Sequence, residues 1–116
     1  MPFLVLETTA DLPENASVPD ILEALVDAVA RCDGVQPHTI KSCHTLRSVW
    51  HMGPGAPAGF AHLSVAVLTG RTLEQRKAIA EAAFRVMREH LAESLEAGEV
   101  KVTVELREMD AETYMR

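Results

Sequence analysis

Apolar and polar positions along the first half of the chain predict a strand, a helix and a second strand. Residues 3–6 form a short apolar run typical of a buried strand, and the residues that follow have no clear period. A helix is predicted from an N-cap at Ser17 to a stop at Gly34. Its apolar residues recur at helical spacing: Ile21, Leu22, Leu25, Val26 and Val29. An extended stretch over 39–51 completes a β-α-β unit at about residues 2–52.

The second half repeats this order after a connector that no regular element accommodates. Residues 52–59 contain three glycines and two prolines, which interrupt helices and strands. A strand at 60–68 is followed by a helix whose start carries Thr72 and Gln75 at the spacing of a capping box. Residues at helical spacing predict its buried side: Ile79, Ala83, Met87, His90 and Leu91. Alternating valines then predict a last strand, so the second β-α-β unit spans about residues 60–109.

The two units together predict the architecture. Helices that join parallel strands cross on a fixed side of the sheet, because such crossovers are right-handed. We therefore predict an α+β fold with two tandem β-α-β units, a four-stranded mixed sheet and two helices on one face. The 116 residues fit one domain, residues 1–116. The other sheet face is expected to carry Leu, Val and Trp, and an exposed apolar face of that kind predicts an oligomer.

Composition narrows the class of protein. There are 11 Lys and Arg against 17 Asp and Glu, a net charge of −6, so nucleic acid is not expected as a partner. No apolar stretch approaches the roughly 18–20 residues of a membrane span, and no signal peptide opens the chain. Cys32 and Cys43 form no CxxC motif. The expectation is a soluble cytoplasmic protein without a membrane partner.

Four segments of the chain carry a family resemblance. Residues 2–6 are Pro-Phe-Leu-Val-Leu, and residues 70–77 are Gly-Arg-Thr-Leu-Glu-Gln-Arg-Lys at the start of the second helix. Residues 49–52 (Val-Trp-His-Met) and 60–62 (Phe-Ala-His) flank the connector. Over nearly its whole length the chain resembles the tautomerase superfamily, and within it the 5-carboxymethyl-2-hydroxymuconate isomerase branch. The resemblance implies a homotrimer, an active site at or near a subunit boundary, no cofactor, and an amino-terminal proline as catalytic base.

Pro2 is the predicted catalytic base. Removal of Met1 is expected before a small residue such as proline, and it leaves a secondary amine. A base must be neutral at the working pH, and apolar surroundings with nearby cations lower the pKa of an amine. Phe3, Trp50 and arginines are expected to supply these conditions. Pro2 is then suited to carry a proton between two carbons of an enol or dienol acid.

Cationic residues are expected to bind the carboxylates of the substrate. Arg71 precedes the predicted cap of the second helix, where its guanidinium and the free N–H groups can face one anion, and it matches the family's second-half arginine. The resemblance also implies an arginine on the second strand, where this chain has Lys41, with Arg47 six residues later. Even spacing puts both on one face if no bulge intervenes. Either Lys41 or Arg47 can be the second substrate-binding residue.

A metal site is not predicted, although several potential ligands are close in sequence. Cys43 and His44 are adjacent, so on a strand they point to opposite faces. The remaining spacings, which involve His38 and His51, match no zinc pattern. His62 lies in an apolar strand and is expected to be packed or at an interface. No metal and no cofactor are therefore expected.

The predicted function is an isomerase or tautomerase. It would move a double bond by proton transfer in an unsaturated 2-hydroxy dicarboxylic acid such as 5-carboxymethyl-2-hydroxymuconate, in aromatic-compound catabolism. The partner is then a small anionic carboxylic acid. Two alternatives stay open: a non-catalytic trimeric binding or scaffold protein that keeps the fold, and a small ferredoxin-like regulatory domain, which gives no reason for a proline at position 2.

Overall fold

A computed structural model describes residues 2–116, so Met1, whose removal the predicted chemistry requires, lies outside the described residues. The elements in chain order are β1 (Phe3–Thr9), α1 (Val18–Ala30), β2 (Lys41–Arg47), β3 (Gly59–Leu68), α2 (Leu73–His90), a short α3 (Ala92–Glu96) and β4 (Val100–Met109). Two 3-10 helices, Pro13–Ser17 and Pro37–Thr39, precede α1 and β2. No helix in residues 2–116 has the length and apolar character needed to cross a membrane.

The strands form one mixed sheet in the order β2-β1-β3-β4. Strand β1 pairs in parallel with β2, and β3 pairs in parallel with β4. The two halves meet where β1 pairs antiparallel with β3, with Leu4 opposite Val65. This topology confirms the predicted fold of two tandem β-α-β units in a four-stranded mixed sheet.

One face of the sheet is covered by both helices, as predicted. Alternate residues on the strands point to this covered face, and the helices bury one side against it. The strand residues in this core are Leu4, Leu6, Ala61, Leu63, Val65, Val67, Val100 and Val102. The helix residues that meet them are Ile21, Leu25, Val29, Ile79, Ala83 and Met87. Burial of this apolar surface is the main force that holds the helices to the sheet.

Helix α2 begins with the predicted capping box. Gln75 donates its backbone N–H to the Thr72 hydroxyl (3.1 Å), and Thr72 donates its backbone N–H to Gln75 Oε1 (3.0 Å). The prediction that His90 is buried is wrong, because the buried side repeats every four residues through Met87 to Leu91. One residue turns about 100° around a helix, so His90 faces solvent instead.

The start of α1 differs from the prediction in detail. Ser17 occupies the N-cap position, but its side chain makes no capping hydrogen bond. The preceding 3-10 helix supplies a different contact, in which Glu14 accepts hydrogen bonds from the Ser94 backbone N–H (3.0 Å) and hydroxyl (2.6 Å). Ser94 is buried at the start of α3, so this carboxylate joins the two halves of the chain.

The other face of the sheet, called here the open face, is more polar than predicted. Leu63 and Val65 belong to the covered face, and Trp50 follows the end of β2. Strand register instead places mostly polar side chains on the open face: Glu7, Lys41, Thr45, Arg47, His62, Ser64, Lys101, Thr103, Glu105 and Arg107. Arg107 lies 2.8 Å from Glu105, and this hydrogen bond lowers the pKa of the Glu105 carboxyl. The same face also carries apolar residues: Phe3, which is 40% exposed, and the partly buried Val5, Phe60, Ala66 and Leu68.

The connector between the halves is held at both ends. Trp50 donates its indole N–H to the carbonyl of Ala58 (2.9 Å), which closes the Gly/Pro-rich segment. Gly59 then begins β3 against β1, where the Phe60 backbone N–H donates to the Thr9 hydroxyl (3.1 Å). A Cβ at Gly59 would overlap Thr9 Oγ1 and lie 2.6 Å from Asp11 Oδ1, so this close approach requires glycine.

We expect Gly59→Ala to lower the free energy of unfolding by about 1–3 kcal/mol, because the added methyl must displace Thr9 and Asp11. Gly53→Ala is the matched control, since a Cβ there has no neighbour within 4 Å. The control should change stability by no more than about 0.5 kcal/mol. Urea denaturation followed by circular dichroism measures both. Equal stability of the two variants would contradict the packing at Gly59.

Candidate active site

Pro2, Lys41 and Arg71 belong to segments that meet at one end of the sheet. Strands β1 and β2 begin there, and the Lys41 backbone N–H donates to the Pro2 carbonyl (3.1 Å). Strand β3 ends at Leu68 on the same edge, because it runs antiparallel to β1. The turn that carries Arg71 follows immediately. We call this end of the sheet the Pro2 edge.

Pro2 is buried directly before the start of β1. Burial alternates along the segment, so that Pro2, Leu4 and Leu6 are buried whereas Phe3 is exposed. The antiparallel ladder begins at the next residue, where Phe3 pairs with Ala66. Burial withdraws this position from water, the condition that disfavours a charged amine.

The side chain of Lys41 lies on the opposite face from Pro2. Lys41 pairs with Phe3 in the parallel ladder, and its ammonium nitrogen is 6.0 Å from the centre of the Phe3 ring. Both residues are exposed on the open face. Lys41 therefore shares the Pro2 edge, but within one chain its charge lies on the other side of the sheet.

Arg47 lies at the far end of β2, opposite Thr9. The ladder from Lys41 to Arg47 has no bulge, so both residues point to the open face, as even spacing requires. The Arg47 guanidinium contacts Glu7 at 2.7 Å and 2.9 Å, and this partner neutralises its charge. Within one chain the structure does not bring Arg47 to the Pro2 edge.

Arg71 is held between two loops at the Pro2 edge. Its Nη2 donates to the carbonyl of Gly34, in the loop between α1 and β2 (3.1 Å). Its Nε is buried and has no hydrogen-bond partner among the described residues. The turn before it is fixed to β4, because the Thr69 backbone N–H donates to the Met109 carbonyl (2.9 Å). The guanidinium therefore keeps donors that are not satisfied by the protein.

A second arginine in this region was missed by the sequence analysis. Arg76, five residues after Arg71, lies 3.7 Å from Glu108 near the end of β4. Its Nε is also buried and unpaired in the described part of the chain. The sequence signal was its place in the 70–77 segment, but only the register of β4 reveals Glu108 as its neighbour. Two guanidinium groups thus lie near the start of α2.

The residues considered for metal binding are separated by the sheet. Cys43 is exposed on the open face, whereas His44 points to the covered side, as adjacency on a strand predicts. His44 Nε2 lies 2.7 Å from the Thr8 hydroxyl, which itself donates to Asn15 Oδ1 (2.5 Å). The hydroxyl has one proton, so its oxygen accepts from His44 Nε2–H. Partial burial lowers the pKa of His44, which favours the neutral imidazole in this cluster.

Two surface grooves lie away from the Pro2 edge. Grooves of about 670 and 420 Å³ flank Phe84 on the outer side of α2 and along β4. Their walls contain neither Pro2, nor Lys41, nor Arg71. The Pro2 edge of one chain is therefore distinct from both grooves.

Comparison with known proteins identifies the family of the chain. The chain matches the model of the 5-carboxymethyl-2-hydroxymuconate isomerase family over residues 2–116. A search of curated protein sequences finds no significant match.

Solved structures share the fold over almost the whole chain. A 5-carboxymethyl-2-hydroxymuconate isomerase from Deinococcus radiodurans R1 is 25% identical, with a TM-score of 0.89 over 99% of this chain and 87% of that one. A 5-carboxymethyl-2-hydroxymuconate delta-isomerase is 20% identical, with a TM-score of 0.85 over 100% and 87% of the two chains. A fused 4-OT, described as a wild-type symmetric trimer, is 23% identical, with a TM-score of 0.68 over 93% and 85%. The match over residues 2–116 shows that the chain belongs to the 5-carboxymethyl-2-hydroxymuconate isomerase family of the tautomerase superfamily.

Proposed function

We propose that this protein moves a double bond by proton transfer in an unsaturated 2-hydroxy dicarboxylic acid such as 5-carboxymethyl-2-hydroxymuconate, with Pro2 as the base. The observation that carries the proposal is the position of Pro2, which is buried at the edge where the Arg71 turn lies. The family match over residues 2–116 supports the class of reaction.

The base in this proposal is the free amine of Pro2, so Met1 must be removed. An apolar environment disfavours the ammonium form, because charge is poorly solvated there. The neutral nitrogen takes the proton of the 2-hydroxyl group of the substrate, which leaves a dienolate. The electron pair then shifts through the conjugated system as the 2-oxo group forms, and the same proton is delivered to a carbon of that system. Bonds and charge balance without an oxidant, a reductant or a cofactor. A general base of this kind contributes about 10²–10⁴ to a rate.

Arg71 binds a substrate carboxylate in this proposal. The Gly34 carbonyl accepts from Nη2, which leaves other guanidinium N–H groups for a planar two-point contact with a carboxylate. The same positive charge stabilises the dienolate as negative charge builds up on it. Because the transition state carries more charge near Arg71 than the substrate does, loss of Arg71 should affect turnover as well as binding.

We assign binding of the second carboxylate of the substrate to Lys41 or Arg47. Lys41 has no carboxylate partner within the described residues, whereas Glu7 engages Arg47, so the single chain favours Lys41. Both side chains lie on the open face, and Pro2 lies on the covered side. A cation from the open face can approach Pro2 most directly if it comes from a neighbouring copy, which supports an active site at a subunit boundary.

We assign a homotrimer to this protein. The open face carries both signs of charge on β1, β2 and β4, from Arg47 and Glu7 to Glu105 and Arg107, together with the exposed ring of Phe3. A mixed surface of this kind can pair with a second copy of itself without accumulating like charge. The fused 4-OT with the same fold is a symmetric trimer, which supports the number three.

The Pro2 proposal is tested by changing only the bond at its nitrogen. One preparation carries Pro2 as the first residue, and the other carries one additional glycine before it, so that the nitrogen is an amide without basicity. We expect kcat for 5-carboxymethyl-2-hydroxymuconate to fall by about 10²–10⁴ in the extended protein. Intact mass and circular dichroism confirm the terminus and the fold. Equal turnover would remove Pro2 from the mechanism and leave the non-catalytic scaffold or a different base.

Arg71→Ala should lower kcat/KM for the same acid by the equivalent of about 2–4 kcal/mol, because the enolate loses a charged donor. Arg85→Ala is the matched control, since Arg85 is exposed on the outer side of α2. Steady-state kinetics of both variants under identical conditions measure the difference. If Arg85→Ala and Arg71→Ala behave alike, Arg71 has no specific role with the substrate.

Sedimentation velocity should show a trimer of the wild-type chain, since the open face is proposed to be covered by other copies. Glu105→Lys reverses a charge next to Arg107 and should weaken the assembly. Glu89→Lys makes the same change on the outer side of α2, away from the open face, and should leave the trimer intact. A wild-type monomer, or dissociation by Glu89→Lys alone, would contradict the assignment of this face.

A further inference from the structure

We propose that Gln75 and Asp33 form a positioning pair that holds the loop between α1 and β2 against the start of α2 and thereby sets the guanidinium of Arg71. The inference rests on the proposed function, because it assigns to Arg71 the task of binding a carboxylate. Neither Gln75 nor Asp33 contacts the substrate in this proposal. They act through Arg71.

Three hydrogen bonds converge on Gln75. Its backbone N–H and its Oε1 form the capping box with Thr72 at 3.1 Å and 3.0 Å. Its Nε2 donates in the other direction, to Asp33 Oδ2 at 3.3 Å. Because Oε1 is committed to Thr72, the orientation of the amide is fixed and the NH₂ group faces Asp33. One side chain therefore links the start of α2 to a loop 42 positions earlier in the sequence.

A second hydrogen bond joins the same two segments of the chain. Gly34 directly follows Asp33, and its carbonyl accepts from Arg71 Nη2 at 3.1 Å. Gly34 has φ +79°, a conformation that other L residues rarely adopt, and a Cβ there would lie 3.5 Å from Gln75 Nε2. The segment 33–34 thus contacts the segment 71–75 at two points, Gly34 with Arg71 and Asp33 with Gln75. Displacement of Asp33 would carry the Gly34 carbonyl with it.

The physical effect is preorganisation of Arg71. A free arginine side chain loses rotamer entropy when it is fixed, and that loss weakens ligand binding if it occurs on binding. Here the Gly34 carbonyl fixes one end of the guanidinium before the substrate arrives, and Nε is already buried. The remaining donors can meet a carboxylate with less ordering. Gln75 and Asp33 keep the Gly34 carbonyl in the position that makes this possible.

The positioning role can be separated from the capping role. Gln75→Glu keeps an oxygen that accepts the Thr72 backbone N–H, so the capping box is retained. It removes the Nε2 donor and sets a carboxylate against Asp33. Asp33→Asn in the same chain restores the link in reverse, because the asparagine amide can donate to the glutamate. Asp33→Asn alone keeps an acceptor for Gln75 Nε2 and serves as the neutral control.

The first measurement is the steady-state kinetics of these variants with 5-carboxymethyl-2-hydroxymuconate. Gln75→Glu should raise KM by about tenfold, the effect of a lost hydrogen bond that orders a charged group. The Gln75→Glu/Asp33→Asn double variant should recover most of that loss, whereas Asp33→Asn alone should resemble the wild type. Gln75→Glu/Glu74→Gln restores the net charge without the link and should stay impaired. Recovery by Glu74→Gln, or no recovery by Asp33→Asn, would overturn the proposal.

The second measurement does not depend on turnover. Hydrogen exchange of the Arg71 Nε–H, followed by NMR and assigned by its absence in Arg71→Lys, reports whether the guanidinium is held in place. Exchange should be about tenfold faster in Gln75→Glu and return toward the wild-type rate in the Gln75→Glu/Asp33→Asn variant. If the acid is not a substrate but exchange follows this pattern, the proposed function fails and the positioning pair stands. Unchanged exchange in Gln75→Glu refutes the positioning pair even if the enzyme is active.

Discussion

The antiparallel pairing of β1 with β3 is the constraint on which the rest of the structure depends. It joins the two β-α-β units at the centre of the sheet and sets Leu4 against Val65 in the core. A slip of one residue would turn every buried side chain of β1 to the open face, so burial enforces this register. Because β1 begins where β3 ends, the same register brings Pro2 to the edge that carries the Arg71 turn.

The two faces of the sheet differ in their chemical character and in what they contact. The covered face excludes water from the core, and Pro2 is buried next to the first strand that contributes to it. The open face uses charges of both signs, which keep it compatible with water in one chain and with a complementary surface in an assembly. The proposed active site needs both, because its base lies on one face and one of its candidate cations, Lys41, lies on the other. At a boundary between two copies of the chain, the covered side of one copy and the open face of the other could lie next to each other.

Local features of the fold were predictable from the sequence, and long-range contacts were not. The capping box of Thr72 and Gln75 was predicted because both partners lie in one helical turn. The ion pair of Arg47 with Glu7 joins residues 40 positions apart and depends on strand register, which no local pattern encodes. For the same reason the sequence identified Arg71 but gave no sign of its contact with Gly34. The catalytic role of Pro2 was a prediction from resemblance, and it stays one.

The contact between Glu14 and Ser94 has a consequence for how the molecule loses its structure. The two residues are 80 positions apart, and the carboxylate satisfies both an amide and a buried hydroxyl at the beginning of a helix. If the segment around Glu14 frays, the amide and hydroxyl of Ser94 lose the charged partner that satisfies them in the folded chain, which is energetically unfavourable. Local unfolding in the first half of the chain therefore destabilises the second half. Despite its duplicated plan, the chain should melt in a single cooperative transition rather than one repeat at a time.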